Sequence, residues 1–228
     1  MGKGCLIQPL KIKDYRLELL PTAVVLPTTY SLRDKVGKIK SQNGSGSCSS
    51  QATSYYAEVL NNIETGEKVQ LSPRFLYPFV YIEWGSYIKD NFARVCNEGI
   101  ALEADVPSYE NGNAPSEKWM TQKPTITPEI ADRAKTYIAK KYLTWDNKNL
   151  DSYKKAIYQG NGCVVASQGN NYCWGLGLDN GMVQLPAYSS QLNWYHAIYL
   201  CGWDDNKKAF EFVNSWSENW GNGWRMFI

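Results

Sequence analysis

The feature that most constrains this chain is a change in the spacing of its apolar residues near residue 160. Before that point, one stretch repeats apolar side chains at intervals of three and four. Its members are Ala52, Tyr55, Tyr56, Val59, Leu60 and Ile63. This spacing predicts an amphipathic helix with one face on a core. Gly66 follows as a stop signal, and the Gly/Ser-rich residues 43–47 form a tight loop ahead of the helix.

The remaining pattern predicts helices first and strands later. Further helices are expected over residues 73–83, 87–97, 128–141 and 150–160. Strands are expected over residues 163–167, 197–201, 209–213 and 223–228, which are short, rich in β-branched and aromatic residues, and bounded by turn formers. This order is typical of an α+β fold with two lobes. We expect an arm (1–29), a mainly helical lobe (30–128) and a mainly β lobe (129–228), with residues 110–128 as the crossover.

Composition excludes several classes of function. No segment approaches the roughly 18 consecutive apolar residues of a membrane helix, so no membrane association is expected. The first residues lack the apolar core of a secretory signal, which favours a cytoplasmic or virion-associated location. The 24 basic and 22 acidic side chains are mixed along the sequence, leaving a net charge of +2. Without a basic stripe to hold phosphates, nucleic-acid binding is not expected.

Cysteine and histidine limit the chemistry further. The chain has six cysteines in no CxxC pair and a single histidine, His196. We therefore expect neither a metal site nor a cofactor. Because the cysteines are widely spaced in a chain that is large enough to fold without disulfides, we interpret most of them as core thiols. Any step that needs an imidazole must use His196.

Cys48 lies where a helix N-terminus would lower the pKa of its thiol and favour the nucleophilic thiolate. Gln42 precedes it by six residues across the Gly/Ser loop. A glutamine carboxamide and the backbone N–H of a nucleophile form a suitable pair of donors for the oxyanion of acyl transfer. The plainer alternatives are a buried cysteine that fills the core and a glutamine that belongs to a turn.

The motifs that follow strengthen the catalytic interpretation. In order along the chain they are Leu32-Arg33-Asp34, Gln42 with Gly46-Ser47-Cys48, the acidic-then-Pro-Tyr segment 103–109, His196-Ala197 with Gly202-Trp203, and Asn214-Ser215-Trp216 with Trp220-Gly221. Together they resemble the papain-like (C1) cysteine peptidases. Cys48 and His196 are 148 residues apart (196 minus 48), inside the roughly 130–150 of that family. Asn214 lies somewhat beyond that interval.

The resemblance implies a thiol peptidase that cleaves a peptide or protein substrate through a thioester acyl-enzyme. Cys48 is then the nucleophile, and His196 is the base that later protonates the leaving amine. Asn214 orients the imidazole, and Gln42 donates to the oxyanion together with the Cys48 N–H. Trp216 shields the contact between Asn214 and His196 from water.

The resemblance also implies a papain-like two-lobe fold, with a helical left lobe, a β-barrel-like right lobe and the active-site cleft between them. Gly85 marks the place where the substrate backbone approaches the cleft as a short strand.

Two residues depart from the family pattern. Ser45 stands where many members carry a disulfide cysteine, which fits a chain kept in reducing surroundings or stabilised by packing alone. Ser49 stands where an aromatic residue usually follows the nucleophile, and this favours a second hypothesis. The alternative is a papain-like scaffold without turnover that acts as a binding or structural component of a larger assembly, such as a virion, with an unidentified partner. The presence of Gln42, Cys48 and His196 together with Asn214 favours the peptidase.

Overall fold

A computed structural model of the protein describes residues 4–8, 16–17, 24–112, 115–145, 149–175, 182–183, 192–221 and 224–227. The helices in these ranges are α1 (Cys48–Thr65), α2 (Pro73–Val80), α3 (Ile88–Glu98), α4 (Glu117–Thr121), α5 (Pro128–Ala134), α6 (Leu150–Gly160) and α7 (Asn171–Gly175). The strands are β1 (Cys5–Leu6), β2 (Thr29–Ser31), β3 (Ser86–Tyr87), β4 (Cys163–Gly169), β5 (Met182–Val183), β6 (Trp194–Asp204), β7 (Ala209–Val213) and β8 (Trp224–Phe227).

Helix α1 contains the whole apolar stripe found in the sequence. Tyr55 and Val59 from the stripe are buried in one cluster with Tyr199 of β6. The helix ends at Gly66, whose φ of +80° is a left-handed conformation that glycine adopts without a Cβ clash. The first helical residue is Cys48. The predicted helix and its predicted stop are therefore confirmed.

Two predicted helices are too long. The prediction over 73–83 is wrong at its end, because α2 stops at Val80 and the chain turns through Glu83 and Trp84, both with positive φ. The prediction over 128–141 is wrong beyond Ala134, where a single 3₁₀ turn follows. The carbonyl of Ala134 accepts the backbone N–H of Ile100 at 3.1 Å, so this acceptor serves a neighbouring segment. By contrast, α6 spans the predicted residues and starts with a capping box.

Strand β6 is the centre of the larger sheet. It pairs with β4 and β2 on one edge and with β7 on the other, antiparallel in each case, and β8 and β5 extend the sheet beyond β7. The strands in the described part of the chain do not close, so the expectation of a β-barrel-like lobe is a loose description. The predicted strand 223–228 is seen over Trp224–Phe227, and its two end residues lie outside the described ranges.

Helices and strands meet where α1 packs on β6, which brings the two parts of the chain together. The α+β prediction is confirmed, while the boundaries at 29/30 and 128/129 stay a prediction. All six cysteines are free thiols, and only Cys96 is not buried. Of the helices described above, none has the length and apolar character to cross a membrane.

Candidate active site

The loop over residues 42–47, which leads into α1, is fixed from several sides. The N–H of Ser45 donates to the Gln42 carbonyl at 3.0 Å, and the Ser45 hydroxyl donates to the same oxygen at 2.8 Å. The N–H of Gly46 donates to Oε2 of Glu117 at 2.7 Å. A Cβ on Gly46 would lie 2.0 Å from the Trp84 carbonyl oxygen, so only glycine fits this close backbone approach. The loop therefore holds Cys48 in one position.

His196 lies on β6 and is held by Asn214, which follows β7. Nε2 of His196 is 2.7 Å from Oδ1 of Asn214. The same Oδ1 accepts the backbone N–H of Ser215 at 2.8 Å, which identifies it as the amide oxygen. Nε2 therefore carries a proton and donates it, which leaves Nδ1 of the neutral ring as an acceptor. Nδ1 makes no hydrogen bond to any described residue, Cys48 included.

Aromatic rings surround the imidazole. Trp216 lies nearest, with 4.8 Å between ring centroids, and Trp174 meets the imidazole edge-on at 5.4 Å. His196 is completely buried and Asn214 is 2% exposed. The hydrogen bond between them is thus kept out of water, where it is stronger than at a surface.

The carboxamide of Gln42 is oriented by the residue next to Asn214. Its Oε1 accepts the hydroxyl of Ser215 at 2.6 Å, and its Nε2 donates to the Ser45 carbonyl at 2.8 Å. The Gln42 backbone N–H also donates to the Ser215 carbonyl at 2.8 Å. The amide nitrogen therefore faces the loop that leads to Cys48.

The thiol of Cys48 lies against β6 at the residue after His196. Backbone hydrogen bonds from Ala197, Gly4 and Ser49 act on this thiol and lower its pKa. The structure thus brings the Gln42 loop next to Ser215, and it brings Cys48 next to the strand on which His196 contacts Asn214.

Residues 4–8, which we call the arm segment, lie on the thiol. Its strand β1 runs parallel to β3, and the Ser86 N–H donates to the Gly4 carbonyl at 2.9 Å. A Cβ on Gly4 would lie 1.6 Å from the Gly46 carbonyl oxygen, and one on Gly85 would lie 2.3 Å from the Gly4 carbonyl oxygen. The Gly4 backbone is therefore packed tightly between the 42–47 loop and Gly85.

Burial changes the ionisation of the site. It raises the pKa of the Cys48 thiol to about 11, although the hydrogen bonds from Ala197 and Gly4 act in the opposite direction. Burial also lowers the pKa of His196 to about 4, against the effect of its hydrogen bond with Asn214. The thiolate expected from the position of Cys48 at a helix N-terminus does not form in this arrangement, because desolvation outweighs that effect. Near pH 7 the site holds a neutral thiol and a neutral imidazole.

Strand β1 of the arm segment passes Gly85, but the backbone hydrogen bond to the arm segment is made by the next residue, Ser86. Gly85 exchanges both backbone hydrogen bonds with Ile82, at 3.0 and 2.8 Å. Ser86 is the residue that donates to the arm segment. Sequence reasoning missed Ser86, and it missed Gly4 and Ser215 as well. Gly4 lies far from every motif in the sequence, so no spacing could have identified it.

Within the described ranges, no three side chains of the His, Cys, Asp and Glu types are arranged to hold a metal ion.

Proteins described as cysteine proteases are similar to this chain in sequence and in fold. The model of the papain family cysteine proteases matches residues 26–227. A relative from Blomia tropicalis, named "Cysteine protease", is 25% identical over 228 residues, which cover 97% of this chain and 67% of the relative. The crystal structure of xylellain, a cysteine protease from Xylella fastidiosa, has a TM-score of 0.79 at 21% identity and covers 99% of this chain and 89% of its own. Digestive procathepsin L 3 of Tenebrio molitor larval midgut has a TM-score of 0.72 at 18% identity, covering 100% and 70%. Because the family model spans most of the sequence, this chain belongs to the papain family of cysteine proteases.

Proposed function

We propose that the protein hydrolyses peptide bonds through a thioester on Cys48. The observation that carries the proposal is the buried hydrogen bond between Nε2 of His196 and Oδ1 of Asn214, next to a cysteine at a helix N-terminus. It orients the ring so that Nδ1 is the nitrogen left to exchange a proton with the thiol. This is the arrangement of nucleophile, base and orienting residue that covalent acyl transfer requires.

The proposed reaction begins when Nδ1 of His196 takes the proton of the Cys48 thiol. The thiolate attacks the carbonyl carbon of the scissile peptide, and its oxygen becomes an oxyanion. The Gln42 carboxamide and the Cys48 backbone N–H donate hydrogen bonds to this oxyanion. The imidazolium then protonates the leaving amine, and water hydrolyses the thioester with His196 as the base. Asn214 keeps the ring in place under Trp216.

Turnover also requires the arm segment to leave the thiol. The Gly4 backbone contacts the Cys48 thiol, and the Gly4 carbonyl accepts a hydrogen bond from the Ser86 N–H. A substrate carbonyl cannot reach the sulfur while this backbone is in place. When the arm lifts, water returns to the site, and the desolvation that holds Cys48 and His196 neutral is relieved. The seated arm therefore corresponds to a latent state.

The test is covalent labelling by an epoxide inhibitor selective for thiol peptidases, followed by peptide mapping. We expect one mass equivalent on Cys48 in the wild type and none in Cys48→Ala. Cys96→Ala serves as the matched control, because Cys96 is a half-exposed thiol on α3 outside the site, and labelling of this variant stays at the wild-type level. Hydrolysis of a peptide library is measured on the same samples. Labelling at another cysteine, or at none, would overturn the proposal.

The scaffold alternative has one observation in its favour, because the chain's own arm segment fills the space at the thiol. The two hypotheses separate when the arm is displaced by a substitution within it, as in Gly4→Ala. A peptidase then gains labelling and turnover, whereas a scaffold without catalytic power gains neither. Absence of both in a folded, arm-displaced variant would favour the scaffold.

A further inference from the structure

The arm segment brings a second thiol to the proposed nucleophile. Cys5 is the residue after Gly4 and is 4% exposed. It belongs to the same buried cluster as Cys48 and Ala197. Its position is fixed by the ladder of β1 with β3, in which Cys5 lies opposite Ser86. Nothing in the proposed peptidase mechanism uses this thiol.

Ser49 connects the two cysteines. The Ser49 hydroxyl donates to the Ser86 carbonyl at 3.0 Å, and Ser86 is the residue that lies opposite Cys5 in the ladder. Ser49 also acts on both thiols and lowers the pKa of each. Cys5 is also only one residue from Gly4, whose backbone contacts the Cys48 thiol. Through Gly4, Ser49 and Ser86, the two cysteines thus belong to one buried group of neighbouring residues.

A further electrostatic observation agrees with this closeness. Burial raises the pKa of Cys5, and the neighbouring Cys48 raises it further, because two thiolates in one buried site repel each other. Cys201, another thiol in this cluster, is directed elsewhere and donates to the Glu211 carbonyl on β7 at 3.6 Å. The Cys5 thiol donates to the carbonyl of its own neighbour Leu6 at 3.8 Å, and of these two cysteines Cys5 is the one that lies on the arm segment beside Gly4.

We propose that Cys5 and Cys48 form a reversible disulfide that locks the arm segment on the nucleophile. The covalent bond makes the latent state permanent until a reductant breaks it, and it protects Cys48 from irreversible oxidation. The regulatory meaning rests on the proposed peptidase function, whereas the disulfide itself does not.

Hydrogen peroxide is the oxidant in the proposed sequence. While the arm is lifted, the Cys48 thiolate attacks one peroxide oxygen, the O–O bond breaks, and hydroxide leaves and takes a proton to form water. When the arm returns, the Cys5 sulfur attacks the sulfenic sulfur of Cys48. The S–S bond forms, the S–O bond breaks, and the Cys5 proton leaves with the hydroxyl as a second water. In total, two thiols lose two electrons and two protons to one peroxide.

The experiment uses the full chain, treated with hydrogen peroxide, quenched, digested without reduction and analysed by mass spectrometry. We expect a Cys5–Cys48 cross-linked peptide in the wild type and none in Cys5→Ser or Cys5→Ala. After dithiothreitol, epoxide labelling of Cys48 returns almost fully in the wild type. In the Cys5 variants the sulfenic acid proceeds to sulfinic and sulfonic acids, so the recovered labelling is at least about fivefold lower. Cys96→Ser is the control and behaves like the wild type.

Two results would overturn the inference. One is the absence of the cross-link in the wild type, with the same recovery in Cys5→Ser and Cys5→Ala. The other is a cross-link of Cys48 to a different cysteine. The mass readout needs no turnover, so the two proposals fail separately. A cross-link in a protein whose reduced, arm-displaced form hydrolyses no peptide would contradict the peptidase and leave the disulfide standing.

Discussion

Replacing Gly4 by alanine tests whether the arm segment covers Cys48. A Cβ at this position would lie 1.6 Å from the Gly46 carbonyl oxygen and 2.2 Å from its carbon. Both atoms belong to the backbone of the 42–47 loop, which is held by Ser45 and Glu117 and has little freedom to move. The arm, rather than the loop, has to shift, and the shift must exceed an ångström to reach an ordinary contact distance.

That shift breaks the hydrogen bonds made by Gly4. One is accepted from the Ser86 N–H at 2.9 Å, and the other joins the Gly4 backbone to the Cys48 thiol. Each is worth about 0.5–1.5 kcal/mol, so the seated state loses about 1–3 kcal/mol. The equilibrium between seated and lifted arm then moves by about 5- to 150-fold toward the lifted state.

The assay is the rate of epoxide labelling at Cys48 under conditions where only the lifted state reacts, so that the rate follows the lifted population. We expect Gly4→Ala to label about 5- to 150-fold faster than the wild type. Gly44→Ala is the matched control, because a Cβ there meets nothing within 4 Å, and its rate should equal that of the wild type. An unchanged rate in folded Gly4→Ala would refute the idea that the arm limits access to Cys48.

Other expected outcomes follow from the same contacts. Burial lowers the pKa of His196 to about 4 from its ordinary 6.5, and we expect lifting of the arm to return water to the ring, so that the lifted state binds a proton more readily between these values. The population of the lifted state should therefore rise by up to about tenfold per pH unit as the pH falls from 6.5 to 4. Hydrogen exchange of the arm segment, corrected for intrinsic rates, should show this rise in the wild type and not in His196→Ala. Gln42→Ala should lower kcat by about 10²–10³ if the carboxamide donates to the oxyanion, and a loss below about threefold in steady-state kinetics would contradict this role. Lys40 and Glu58 form a buried ion pair in which Glu58 also accepts the Leu71 N–H at 2.6 Å, so Lys40→Met leaves a buried carboxylate and should cost about 3–5 kcal/mol. Thermal unfolding should show a large fall in Tm for Lys40→Met and a clear recovery when Glu58→Gln is added, and equal Tm values for the single and double variants would argue against the pair.

The parts of the fold that were predicted correctly depend on short-range patterns. Helix α1 follows from a stripe of residues three and four apart, and its end follows from Gly66. The helix ends that were predicted wrongly depend on contacts between distant segments. Helix α5 stops where the Ala134 carbonyl meets the N–H of Ile100, a contact that no local pattern contains. Strand order is likewise set by pairing partners, so closure of the sheet could not be judged from the sequence.

The candidate site, too, was predictable from the sequence only where short-range patterns describe it. The motifs identify Gln42, Cys48, His196 and Asn214 as chemically suitable residues, since each motif is a short run of neighbouring letters. Their protonation states could not be predicted, because these depend on what buries them. The cover over Cys48 comes from Gly4, which is recognised only when its backbone is seen between two other glycine segments.

Cover and ionisation together determine when Cys48 is reactive. Both peroxide oxidation and attack on a peptide carbonyl need the thiolate, and burial with the pKa raised to about 11 suppresses it in the seated state. The two reactions therefore draw on the same lifted population and should respond in parallel to any change that moves the arm. Gly4→Ala should accelerate the formation of the sulfenic acid by the factor that it gives for epoxide labelling. It should also slow the return of Cys5, because the alanine opposes reseating. A variant that labels faster while forming the Cys5–Cys48 cross-link less completely is thus the expected signature of an arm that shields the nucleophile and also carries its disulfide partner.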